Sequence, residues 1–163
     1  IVFGSGKSRS IPEGFSRERA MTQIAEFCGL LAQNAQESGI TIVVEPLNSK
    51  ECNVLTRTAE SADLVRRINH PSLRLLVDAY HWAAEKETGE DIDAGGGLFA
   101  HAHIATYKSR LAPGLEDCDF LPFFSALKKN RYNNRISIEG KWNDLALEAP
   151  RALEILKSLE EKA

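Results

Sequence analysis

The stretch TIVVE at 41–45 sets the pattern for the whole chain: a short aliphatic run that ends on a polar side chain. LRLLVD at 73–78, LFAHAH at 98–103 and RISIE at 135–139 repeat it, ending on Asp78, His103 and Glu139. Side chains alternate faces along a strand, so Glu45 shares a face with Val43, Asp78 with Leu76, His103 with His101, and Glu139 with Ser137. In parallel strands the four polar ends fall on one rim. Three carboxylates and one imidazole at such a rim form a set suited to a hard divalent cation such as Mn²⁺, Mg²⁺ or Co²⁺.

Around these runs the sequence alternates strand-like and helix-like segments, which predicts βαβ units and a parallel sheet. Five strands are expected, at Ile1–Gly4, Thr41–Glu45, Leu73–Asp78, Leu98–Ile104 and Arg135–Glu139. Helices are expected from 17–23 to 38, at 58–69, at 119–130 and at 146–162. The near-continuous apolar runs IVV and LLV are those of strands covered on both faces. Ile24, Phe27, Cys28, Leu31 and Ala35 follow helical spacing and predict the buried stripe of the first helix. Gly39 ends that helix. Asp119 reads as the N-cap of the third helix, and Pro150 falls in the first turns of the last. His70-Pro71 marks a helix end, with His70 structural or exposed.

Size and charge narrow the function classes. The chain has 163 residues, 43% hydrophobic and 26% charged, with a net charge of −3. This is the composition of one globular domain, without the basic footprint of a nucleic-acid binder. No run approaches the length of a membrane span, and the chain reads as soluble and cytosolic. Three cysteines without C-x-x-C spacing suggest neither a disulfide framework nor a structural zinc site. Cys28 is expected in the core and Cys52 as a bystander near the rim. Gly4-Ser5-Gly6-Lys7-Ser8 ends like a phosphate loop but lacks the first glycine, since position 1 is isoleucine. It is read as a strand-to-helix loop whose amides and Lys7 can touch an anion.

Closing eight βα units takes about 250 residues, and five strands are read here. The expected architecture is therefore a (β/α)8 TIM barrel of which residues 1–163, a single domain, supply the last five units. Two sheet edges would stay open to pairing.

EPLNSKE at 45–51, VDAYH at 77–81, HAHIA at 101–105, RLAPG at 110–114 and IEGKW at 138–142 together resemble, in order and spacing, the xylose isomerase-like sugar isomerase and epimerase family. The likeness is strongest to its ketose 3-epimerase branch. The resemblance implies that Glu45, Asp78, His103 and Glu139 bind one divalent cation, Mn²⁺ first, and that Glu45 and Glu139 also form the acid/base pair. It implies substrate contacts for Glu51, His81 and Arg110. Arg110 lies one residue further from His103 than the resemblance leads one to expect, and Ala105–Lys108 lacks the Gly-Glu pair often found after that histidine. The implied partner is a small sugar or sugar phosphate, and the implied assembly a homo-oligomer.

Such residues fit proton abstraction next to a carbonyl, which needs a base and a stabiliser for the developing oxyanion. Epimerisation and aldose–ketose isomerisation share those needs. A metal-dependent dehydratase of a polyol or keto-acid, and a non-catalytic barrel fragment, remain alternatives. The three-zinc endonuclease relatives of this barrel need more ligands than four histidines and an acidic chain provide. His101 is expected one layer below His103, in support rather than as a ligand. Trp82 and Trp142 are expected to pack beneath the rim.

Overall fold

The computed structural model describes residues 1–163. Its five strands are β1 (Val2–Phe3), β2 (Ile42–Val44), β3 (Leu73–Asp78), β4 (Phe99–Ile104) and β5 (Ile136–Ile138). They pair in chain order, all parallel, as one sheet. The principal helices are α1 (Arg17–Glu37), α2 (Thr58–Ile68), α5 (Leu121–Lys129) and α6 (Leu145–Lys162), with the shorter α3 (Ala79–Ala84) and α4 (Gly89–Ala94) between β3 and β4. Each strand agrees with its expected span to within one residue at either end. This alternating arrangement is part of a (β/α) barrel.

Two helices went unread in the sequence because six residues are too few to show a helical period. The first, α3, starts where the Asp78 carboxylate accepts hydrogen bonds from the Tyr80 and His81 amides. The second, α4, starts where Asp91 Oδ2 accepts from the Thr88 amide at 2.7 Å. That T-x-x-D spacing was a legible signal. The loop after β1 makes one 3-10 turn at Gly6–Arg9. Asp119 does accept from the Leu121 amide at 3.0 Å, but the helix begins one residue later than expected, with Phe120 at the cap position. Pro150 lies inside α6.

One face of the sheet carries Val44, Leu75, Val77, Ala102 and Ile104, which pack with Cys28, Ala32, Leu64, Val65 and Phe123 from the helices. Phe27 departs from its expected place. It is 49% exposed, with its ring 5.7 Å from that of Phe3. It lines a cavity with Phe3, Ile11, Pro12 and Phe15 rather than packing into the core. Ala20, Cys28, Ala32 and Ala35 form the buried face of α1 instead.

The strand register sets up the rim. Val44 pairs with Leu75, Asp78 with His103, and His103 with Ser137. Asp78 is therefore two residues further along the ladder than the partner of Glu45, and Glu139 two further than the partner of His103. This progressive offset is the shear that tilted barrel strands require. Glu45 and Glu139 lie just past their strands yet stay tethered. The Glu45 amide donates to the Phe3 carbonyl at 3.2 Å and the Glu139 amide to the Ile104 carbonyl at 3.1 Å.

Arg9 stitches the end of the open edge. It is buried, donating from Nη1 to the Phe3 carbonyl at 2.9 Å and from Nη2 to the Glu45 carbonyl at 2.7 Å and the Leu55 carbonyl at 3.3 Å. Its guanidinium also sits 5.4 Å from the centre of the Phe3 ring. The GSGKSR loop thus delivers an arginine into the protein, while Lys7 stays in solvent.

Candidate metal centre

Glu45, Asp78, His103 and Glu139 each contribute one ligand atom to a group in which all four atoms lie within 4.8 Å of one another. The first three side chains are buried, and Glu139 is 47% exposed at the mouth. His103 Nδ1 is the point of convergence. It lies 3.0 Å from Glu45 Oε1, 3.4 Å from Glu139 Oε2 and 3.7 Å from Asp78 Oδ2. Gly4 leaves the space for this packing: a β-carbon there would come within 2.5 Å of Glu45 Oε2.

Protonation of the cluster reflects its crowding. Burial, reinforced by the Glu45 charge, raises the Asp78 carboxyl to about 7. Burial would push His103 down, but hydrogen bonds to Glu139 and Glu45 outweigh it and hold the imidazolium up to about 10. The bond to His103, aided by Arg110, lowers Glu139 to about 2. In the free protein one imidazolium proton thus balances three crowded carboxyl groups, the work a cation would do. Asp78 Oδ2 is buried and has no hydrogen-bond partner, so it keeps free lone pairs inside the group. An orphaned carboxylate oxygen beside two further carboxylates and an imidazole nitrogen fits a hard divalent metal ion.

The other predicted residues gather around this centre. Arg110, in a left-handed backbone conformation with φ of 54°, donates from Nη2 to Glu139 Oε2 at 2.6 Å and from Nη1 to Glu51 Oε1 at 3.5 Å. Its guanidinium lies 5.0 Å from the centre of the Tyr80 ring, a contact the sequence did not announce. Glu51 pairs with Asn48 and Arg110 rather than with Lys50, its Oε1 accepting from Asn48 Nδ2 at 2.8 Å. His81 is buried, and burial lowers its basicity, which keeps the ring neutral. Asn48 also went unassigned in the sequence, although it sits midway between Glu45 and Glu51.

Several supporting residues occupy their expected places. His101 Nε2 pairs with Ser137 Oγ at 2.9 Å, and its ring stands edge-on to His103 at 5.1 Å. Trp82 is buried against Tyr107 and Phe123, whereas Trp142 is only half-buried. Cys28 and Cys52 are buried free thiols. His70 accepts from the Ser72 amide at 3.2 Å and takes no part in the site.

A parallel α/β arc with a carboxylate and imidazole cluster at its strand ends defines the class as a (β/α)-barrel protein with a candidate metal rim. The model of the xylose isomerase-like TIM barrel family matches residues 1–160, and the chain belongs to that family. It is 30% identical over 130 residues to L-ribulose 3-epimerase from Methylomonas sp. strain DH-1, covering 78% of this chain and 44% of that protein. It is 24% identical over 123 residues to D-psicose 3-epimerase from Ruminiclostridium cellulolyticum, covering 75% and 40%. Among solved structures, D-allulose 3-epimerase from Methylomonas sp. in complex with D-allulose superposes with a TM-score of 0.82 at 27% identity. That match covers 91% of this chain and 58% of the other. The chain spans about half the length of these relatives. No helix is long and apolar enough to cross a membrane.

Proposed function

We propose that the chain carries the reactive rim of a metal-dependent sugar epimerase of the ketose 3-epimerase type, as the last five βα units of a barrel. The observation that carries this reading is the convergence of Glu45, Asp78, His103 and Glu139 within 4.8 Å. Its support from kinship is that L-ribulose 3-epimerase and D-psicose 3-epimerase are among the matched relatives.

Glu45, Asp78, His103 and Glu139 would hold one divalent ion, with Mn²⁺ the first choice and Co²⁺ or Mg²⁺ also suited. When bound, the ion supplies Lewis-acid stabilisation of negative charge on the substrate oxygens. Glu139, ionised far below neutral pH, is competent to take the proton on the carbon next to a ketose carbonyl. As that C–H bond breaks, its electron pair passes toward the carbonyl oxygen and gives an enediolate. Glu45, carrying a proton taken up from solvent, delivers it to the opposite face of the same carbon as the enediolate electron pair folds back to re-form the carbonyl, which inverts the carbon, and Glu139 passes its proton to solvent. Arg110 sits on Glu139 and holds its carboxylate in place, while Glu51 and His81 contact the hydroxyl and carbonyl oxygens near the reacting carbon.

The test is solvent deuterium incorporation, followed by NMR, on free ketohexoses and ketopentoses with and without Mn²⁺. Metal-dependent exchange at C3 is expected, falling about 10²- to 10⁴-fold in Glu139→Gln. Binding of one Mn²⁺ without exchange at any carbon overturns the assignment and leaves a dehydratase or an inactive barrel fragment.

A further inference from the structure

The Asn48 side chain hydrogen-bonds both His81 and Glu51, and its own orientation is fixed. Its amide oxygen accepts from the Lys50 amide at 3.1 Å, so its Nδ2 faces the other way. From there Nδ2 donates to Glu51 Oε1 at 2.8 Å and lies 2.8 Å from His81 Nδ1. The Asn48 backbone amide donates to the same Nδ1 at 3.2 Å. Two N–H groups therefore converge on one imidazole nitrogen, which can only accept them. The ring proton must be on Nε2.

That Nε2–H group is buried and has no partner in the protein. A buried donor left without a partner is unfavourable, and an acceptor oxygen on a ligand removes that penalty. Asp78, a member of the ligand cluster, accepts from the His81 backbone amide at 3.2 Å, so the residue that carries this donor adjoins the candidate metal centre.

We infer that Asn48 is a positioning residue that locks His81 in its Nε2–H tautomer and holds Glu51 alongside, so that the pair offers one donor and one acceptor to adjacent oxygens of an α-hydroxy carbonyl. The donor selects the carbonyl oxygen, which has no proton to give, and Glu51 selects the hydroxyl, which has. A vicinal diol lacking the carbonyl can satisfy the same pair only by rotating its hydroxyl protons. The inference rests on the epimerase reading for the identity of the ligand, but the tautomer does not.

Long-range ¹⁵N–¹H correlation spectra of the full chain with ¹⁵N-labelled histidine read the tautomer directly, metal-free and with Mg²⁺, the His81 signals being assigned by their loss in His81→Gln. The wild-type chain is expected to show a protonated Nε2 and a bare Nδ1. Asn48→Asp replaces the side-chain donor by an acceptor and leaves only the backbone amide of residue 48 facing Nδ1, so a share of the rings is then expected to carry its proton on Nδ1. A wild-type ring protonated at Nδ1 overturns the inference without recourse to any variant, and so does an Asn48→Asp ring that keeps Nδ1 bare. If both tautomers appear as expected while no ketose exchanges deuterium, the positioning role stands and the epimerase reading fails.

Discussion

Titrating Mn²⁺ into the metal-free chain is expected to release protons, in a number that depends on pH. Metal ligands must be deprotonated to bind, so every proton held by the cluster in the free protein has to leave. His103 keeps its proton up to about 10, and Asp78 titrates at about 7. At pH 8 the cluster thus holds roughly one displaceable proton, and at pH 6 roughly two. Apparent Mn²⁺ affinity should rise about tenfold per pH unit between pH 7 and 10, and by up to about a hundredfold per unit just below that range. The assay is isothermal calorimetry in paired buffers of different ionisation enthalpy, whose heat difference counts the protons. His103→Gln should reduce the release at pH 8 and weaken binding. Wild-type binding at pH 8 with no proton released refutes the assignment of His103 as a charged stand-in for the metal.

The same protons link to stability. The His103 value in the folded chain lies above its ordinary 6.5, so its contribution is present below that value and is lost as pH rises toward about 10. Metal-free chain in chelator should therefore show a falling urea midpoint from pH 7 to 10, and Mn²⁺ should flatten the slope. Gly140→Ala should destabilise by about 1–3 kcal/mol in urea unfolding, because the added carbon would meet the Leu111 and Ala112 backbone at 2.7 Å, where neither flank can yield like a flexible side chain. Arg9→Met should cost on the order of 2 kcal/mol by the same measurement, through the loss of its bonds to the Glu45, Phe3 and Leu55 carbonyls. It should also weaken Mn²⁺ binding, since the strand end that carries Glu45 is then less firmly held.

The fold was legible because strands covered on both faces have an unmistakable sequence. IVV, LLV and the alternating AHAHI stretch can be read without knowing their neighbours, and they form β2, β3 and β4. The four candidate ligands followed from the same reading. A polar residue that ends an apolar strand must emerge at its rim, and the convergence of four such ends then requires only parallel pairing. The short helices α3 and α4 escaped because one and a half turns carry too little period, although the Thr88 and Asp91 spacing marked one of them.

What the sequence by itself determined was therefore local: element type, face and the chemistry at each strand end. Only the tertiary structure decided relations between distant residues. The offset of Glu45, Asp78 and Glu139 along the ladder is a property of strand pairing, and no single strand encodes it. The exposure of Phe27 beside Phe3 is a relation between α1 and β1 that the stripe within α1 could not reveal. Arg9 reads as a surface cation in GSGKSR and becomes a buried tie only where three carbonyls from separate segments meet. Asn48 gains its place because its amide lies against a histidine 33 residues away. Hydrogen bonds act over about 3 Å, and a sequence records neighbours along the chain rather than neighbours in space.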